Sequence, residues 1–189
     1  MNEFIDSEEF SGIDFTKKTF KKGEYDNCIF TNCNFEKQDI SNINFIECTF
    51  IDCNLSNCRV KNVMFQETTF ENCKMIGINF SECNPFLISF SFKDCSLNYA
   101  SFYQFKIKNT RFANCKLQEV DFVEADLTNS SFNNCDLLKA IFENTNLEKV
   151  DFLTAYDFSI DLENNNLKNA LFSKDNLEGL LVKYQIKIK

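Results

Sequence analysis

The chain has 189 residues, a formal net charge of −8, no histidine, ten cysteines and one proline. The acid excess argues against direct binding of nucleic acid, and the absence of imidazole, with no two cysteines closer than five residues, argues against a metal or disulfide framework. Met1-Asn2-Glu3-Phe4-Ile5-Asp6 lacks the basic and apolar segments of an export signal or membrane anchor, so the expectation is a cytoplasmic protein with reduced, buried thiols.

From Phe10 to Phe80 every fifth residue is apolar, and after a two-residue slip the run resumes at Leu87 and continues to Phe152, 29 positions in all. A helix needs apolar residues three and four apart and a strand needs them two apart, so neither holds a period-five stripe on one side. A chain that turns a corner every five residues does. Two residues before each stripe position runs a second column. It contains all ten cysteines and otherwise mostly small or branched residues such as Ile43, Val63, Thr68, Ala100 and Val120. Free cysteine is a small, readily buried side chain, so this column is predicted to fill the core beside the larger stripe while the other three positions face water.

Residues twenty apart match better than the period of five requires. Phe92, Phe112, Phe132 and Phe152 form one series, Leu97, Leu117 and Leu137 another, and Cys95, Cys115 and Cys135 a third. Four units per turn follow, with like side chains stacked on like. At the spacing of neighbouring strands, roughly 4.8 Å, about seven turns make a rod roughly 34 Å long.

The slip falls within residues 81–91, where Pro85 stands at the position due to the next stripe residue. A bulge or short loop is predicted to absorb two residues there. Phe90 and Phe105 occupy the small column and imply local widening of the core.

After Phe152 the pattern decays: Asp157 stands at a stripe position, and residues 161–169 have the composition of a polar turn. Ser173 is a candidate N-cap for a short α-helix carrying Leu177, Leu180, Leu181 and Tyr184 along one side, although Leu177 and Val182 also keep the phase of one more coil. Residues 184–189 alternate like an edge strand. The chain thus divides into a coil over residues 1–155 and a cap over 156–189. An open coil end exposes apolar groups and unpaired backbone, so the cap either closes its own rod or pairs with a second copy.

Residues 119–163 contain eleven acids and two bases, a net of −9, and the rest of the chain sums to +1. Regular outward carboxylates of this kind form a surface, not a desolvated acid–base pair, and no nucleophile–base pairing or glycine-rich phosphate loop is present, so no enzyme activity and no cofactor are expected.

The unit of small, polar, large apolar, polar, polar, as in Cys48-Thr49-Phe50-Ile51-Asp52 and Ala125-Asp126-Leu127-Thr128-Asn129, resembles the pentapeptide-repeat family over about residues 8–155. The resemblance implies an all-β fold, a right-handed quadrilateral parallel β-helix. More weakly, Asp175-Asn176-Leu177-Glu178-Gly179-Leu180-Leu181 is similar to the carboxy-terminal module of the family's quinolone-resistance branch. That branch implies a homodimer through residues 173–189, with Leu177, Leu180, Leu181 and Tyr184 at the join. It also implies mimicry of duplex DNA and binding to DNA gyrase or topoisomerase IV. The acidic face expected to carry such contacts comprises Asp121, Asp126, Asp136 and Asp151, each one position before a stripe residue, with Glu119, Glu124, Glu143 and Glu148. The alternative is a scaffold for another cytoplasmic protein.

Overall fold

The structure, a computed structural model, describes residues 3–186. Nine short parallel strands run up one side in the order Glu9–Ser11, Ile29–Thr31, Thr49–Ile51, Thr68–Glu71, Phe90–Lys93, Arg111–Ala113, Ser131–Asn133, Asp151–Phe152 and Leu171–Phe172. Four more, Glu3–Asp6, Gly23–Asp26, Asn44–Ile46 and Met64–Gln66, form a second parallel sheet. Single bridges between residues such as Asn34 and Asn54, or Ser101 and Asp121, complete the other two sides. The result is a four-sided parallel β-helix of about eight turns. Its faces take their names from their first stripe residues: Ile5 on the first, Phe10 on the second, Phe15 on the third and Phe20 on the fourth.

Each corner requires the chain to reverse its twist within one residue. The residue two after the stripe position does this in the left-handed region, as Asn27, Asn32, Asn42, Asn57, Asn62, Asn109 and Asn129 do. Asparagine tolerates that region, which explains its frequency here. Bulkier residues adopt it at a cost, among them Tyr99 with φ of 62° and an exposed ring. Tyr99→Asn is therefore expected to stabilise the fold by about 1 kcal/mol, read as a raised urea midpoint with unchanged slope.

The stripe forms aromatic ladders in the core. Along the second face the rings of Phe92, Phe112, Phe132, Phe152 and Phe172 stack at 5.2, 4.9, 5.1 and 5.1 Å. Along the fourth face Phe80, Phe102, Phe122 and Phe142 stack at 4.6, 5.3 and 5.1 Å and meet the first ladder edge-on. Offset and edge-on contacts suit the aromatic quadrupole, so one side-chain layer fills the whole cross-section.

The small column obeys a finer rule. Where the corner is a tight turn closed by a backbone bond, as from Ala100 N–H to Leu97 O (3.0 Å) or Val150 N–H to Leu147 O (3.1 Å), the position takes varied residues, Gln38 and Phe105 among them. Above the first rung, where the chain leaves an extended strand of three or four residues, the follower is Cys28, Cys33, Cys48, Cys53, Thr68, Cys73, Cys95, Cys115 or Cys135. In those corners the side chain donates to a backbone carbonyl on its own rung and, at every one but Cys135, to a carbonyl on the rung below. Cys48 Sγ lies 3.3 Å from both Tyr25 O and Ile46 O, and Thr68 Oγ1 lies 3.3 Å from both Phe45 O and Gln66 O. Burial pushes the Cys48 thiol up to about 12. It remains a protonated donor at neutral pH.

At the slip the register between Thr68–Glu71 and Phe90–Lys93 is offset by two residues, with Phe70 opposite Phe92. The expected stripe residue Leu87 does not point inward: it is 56% exposed in the left-handed region. Phe90 takes its place, buried with its ring 5.6 Å from Phe80 and 5.0 Å from Phe92. Pro85 has no N–H to offer a ladder, and the Phe86 N–H donates to Asn84 Oδ1 at 3.0 Å, so the chain loops outward before Phe90 re-enters.

Toward the carboxy terminus the coil runs beyond residue 155. Leu147 N–H donates to Asn166 O at 2.8 Å, and Asp151–Phe152 pairs with Leu171–Phe172. Asp157 is exposed, and the adjacent Phe158 fills the space its side chain leaves. The expected α-helix is instead two 3₁₀ segments, Lys174–Leu180 and Val182–Tyr184. Ser173 is the N-cap, accepting from Asp175 N–H at 3.2 Å. Asn176 breaks regular winding because its Nδ2 donates to Phe152 O and Ala155 O, covering carbonyls of the rung beneath. Tyr184 belongs to the second segment and not to a strand; the rest of the predicted strand lies largely in residues 187–189, outside the described residues.

Candidate partner-binding surface

A five-residue unit places successive units on successive faces, so a cluster that is local in sequence wraps around the rod. The acids predicted to share one face do not. Asp121 lies in the bridge series Ser101, Asp121, Ile141 of the fourth face, and Asp126 in Lys106, Asp126, Asn146 of the first. Asp136 lies in Lys116, Asp136, Tyr156 of the third, and Asp151 in the strand of the second. Glu119 and Glu124 sit at corners with φ of 55° and 56°. Glu143 follows Phe142 on the fourth face and Glu148 follows Leu147 on the first. The eight carboxylates thus form a belt around all four sides.

Sequence reasoning missed that the four aspartates also hold the backbone. Each accepts an N–H from the residue two further on: Val123 to Asp121 (2.9 Å), Thr128 to Asp126 (3.2 Å), Leu138 to Asp136 (3.0 Å) and Leu153 to Asp151 (2.9 Å). Asn34, Asn54, Asn146 and Asn166 make the same bond at the same place in the unit. That interchange of Asp and Asn was the available signal for an Asx turn.

The belt is partly braced by neighbours. Lys108 Nζ lies 3.0 Å from Asp126, Lys139 3.9 Å from Glu119 and Lys149 4.0 Å from Glu148. Gln104 donates to Glu124 at 2.8 Å and Gln118 to Asp136 at 2.6 Å. The Asp126 carboxyl is held below its ordinary value: partial burial raises it, but the Thr128 hydroxyl and amide and the Lys108 ammonium lower it more. Among the described residues no three His, Cys, Asp or Glu side chains gather where an ion would sit, and no helix is long and apolar enough to cross a membrane.

The cap places the predicted join residues differently from a single helix side. Leu180 turns inward and packs on the core, Leu181 is half-buried, and Leu177 and Tyr184 are exposed. The Tyr184 hydroxyl donates to Glu163 at 3.1 Å, and Lys183 pairs with Asp161 at 3.0 Å, fastening the cap to the last coil. Gly179 lies so close to Phe158 that a Cβ would meet the ring and the carbonyl oxygen at 2.5 Å. Gly179→Ala is expected to cost about 1–3 kcal/mol through this overlap, seen as a lowered thermal midpoint. Between cap and coil lies a cleft of about 630 Å³ lined in part by Leu138, Tyr156, Phe158, Leu181 and Val182.

The pentapeptide repeat region model matches residues 18–102 and 105–181. The chain belongs to the pentapeptide-repeat family. Its second match extends well past residue 155, in agreement with the coil. Among solved structures of this family, the chain is similar to a trypsin-treated variant of QnrB1, a plasmid-mediated fluoroquinolone resistance protein. The TM-score is 0.75 at 15% identity, covering 99% of this chain and 92% of that one. Full-length QnrB1 gives a TM-score of 0.65 at 15% identity over 97% of this chain and 100% of that one. HetL, a pentapeptide-repeat protein from the cyanobacterium Nostoc, gives 0.42 at 14% identity over 91% and 88%. No curated protein matches the chain by sequence.

Proposed function

We propose that this pentapeptide-repeat protein is a non-enzymatic, cytoplasmic mimic of duplex DNA that binds DNA gyrase or topoisomerase IV and shields the enzyme from quinolones. The observation that carries the reading is the belt: a net −9 within residues 119–163, distributed over all four faces of a narrow rod, presents carboxylates to a basic groove whichever side approaches. The likeness of fold to QnrB1 supports the shape. Two copies joined through Leu177, Leu181 and Tyr184 near the cleft, with Leu180 supporting them from the core side, would bring two belts together at the middle of a longer rod.

Gyrase supercoiling measured with and without the protein, at two salt concentrations and with a quinolone present, tests the reading. Inhibition that weakens with salt, together with less quinolone-stabilised cleavage, is expected. Supercoiling and cleavage unchanged at every protein concentration would refute it. Sedimentation of the full chain at micromolar concentration should show a dimer.

A scaffold for another protein is the second reading, favoured by the outward loop at the slip, where Phe86 is 66% exposed and Leu87 is strained. Such a partner would be insensitive to the belt carboxylates.

A further inference from the structure

We propose that two copies of this chain pack side by side and antiparallel through their fourth faces, the basic lower half of each against the acidic upper half of the other. Charge on this face is sorted by height. Its first three rungs carry Lys21, Lys22, Arg59 and Lys61 against Asp39 alone, and its last three carry Asp121, Glu124, Glu143, Asp161 and Glu163 with no cation in the coil itself. The rungs between are small and polar, with Asn79, Ser81 and Ser101 facing outward beside one exposed ring, Tyr103. The charges nearest the middle are available. Lys61 has no carboxylate within ion-pair distance among the described residues, and Arg59 reaches only Asp39, at 3.7 Å. Glu124 and Glu143 likewise have no cation within that distance among the described residues, whereas Asp161 and Glu163 are held by Lys183 of the cap.

One twofold axis matches these charges. Lying between the fourth and fifth rungs and parallel to their strands, it sets the third rung of each copy on the sixth of the other and the second on the seventh. Arg59 then meets Asp121 of the second copy, and Lys61 falls between Glu124 and Glu143. Asp39, the one acid of the basic half, lands on Ile141 and not on a carboxylate. The two Tyr103 rings come to lie one rung apart on either side of the axis. A shift by one rung sets Asp39 against Asp121 or Asp161, and rods running the same way set Arg59 against Lys61, so the alternatives repel. Agreement of sign and spacing within a single face is what makes the occupant a second copy. The contact is the same patch on both partners and closes at two. A face eight rungs long, roughly 38 Å, and three residues wide, roughly 10 Å, covers about 800 Å² over both copies, less than a stable complex needs. The pairing is therefore weak and held by charge. It uses the flank of the rod and leaves the cap free, but it covers Asp121, Glu124 and Glu143 of the belt, so a basic partner competes with it.

Small-angle X-ray scattering of the full chain across a concentration series, at low and high salt, tests this. The readout is the cross-sectional radius of gyration, which lateral pairing raises and an end-to-end join through the cap leaves unchanged. The parent protein should show it rising with concentration at low salt and constant at high salt. Lys61→Glu and Glu124→Lys, made singly, should each abolish the rise, and the two together should restore it. Both residues are exposed, Lys already occupies the corner equivalent to Glu124 at Lys139, and matching melting curves check that the variants fold. A parent cross-section independent of concentration at low salt overturns the proposal. So does a rise that survives either single exchange, or one that the double exchange fails to restore. The protein is measured alone, so these outcomes are independent of the gyrase assay.

Discussion

Phe112→Ala should destabilise the protein by about 3–5 kcal/mol, measured by urea denaturation. The ring is fully buried, stacked between Phe92 at 5.2 Å and Phe132 at 4.9 Å, and edge-on to Phe102 at 6.1 Å and Phe122 at 6.3 Å. With a core one side chain thick, no second layer can collapse into the hole. The loss therefore includes the cavity as well as the transfer of the ring and its aromatic pairs. The same change at Phe10 should cost less, because that ring stacks on Phe30 alone along its ladder and is only partly buried. Equal losses at the two positions would contradict a core maintained by stacking between rungs.

Replacing Asp121, Asp126, Asp136 and Asp151 together by Asn should leave stability nearly unchanged and slow association with gyrase by about tenfold at low salt. Asparagine retains the side-chain oxygen that accepts the N–H two residues on, as Asn34, Asn54, Asn146 and Asn166 already do. The net charge of residues 119–163 falls from −9 to −5 because four unit charges are removed. The difference between variant and parent should shrink as salt rises, since screening removes what the substitutions removed. Stopped-flow association rates at several ionic strengths provide the readout. An unchanged rate, in a variant whose melting curve matches the parent, would assign the interaction elsewhere on the rod.

Much of the architecture is legible because a period of five constrains every unit alike. The stripe, the small column, four units per turn and the two-residue offset at Pro85 can all be read from residue spacing. The misplacements come where two side chains compete for one space. Leu87 holds the stripe phase, yet Phe90 enters the core, because an outward loop frees the backbone to choose the larger ring. Asp157 makes the coil look finished, while Phe158 next to it and Leu167 and Phe172 further on sustain the wall. The 3₁₀ winding of the cap cannot be read from apolar spacing, since it is imposed by Asn176 reaching carbonyls of the rung below and by Gly179 lying against Phe158. The acids look like one face in the sequence because spacing along the chain is rotation around the axis. The cysteine rule is present in the sequence but shows only once the strands are known: above the first rung, every corner that follows a strand of three or four residues is filled by cysteine or threonine, while Cys58, Cys83, Thr110 and Thr145 fill corners of the other kind.

That equivalence of sequence distance and angle gives the family a simple route to new surfaces. Inserting or removing one five-residue unit between Pro85 and Glu119 would swing the outward loop a quarter turn relative to the cap, with the interior pattern intact. A twenty-residue change would restore the original azimuth and alter only the axial separation. Insertions in this chain should therefore be tolerated in multiples of five for folding, and in multiples of twenty wherever one partner must touch both ends of the rod at once.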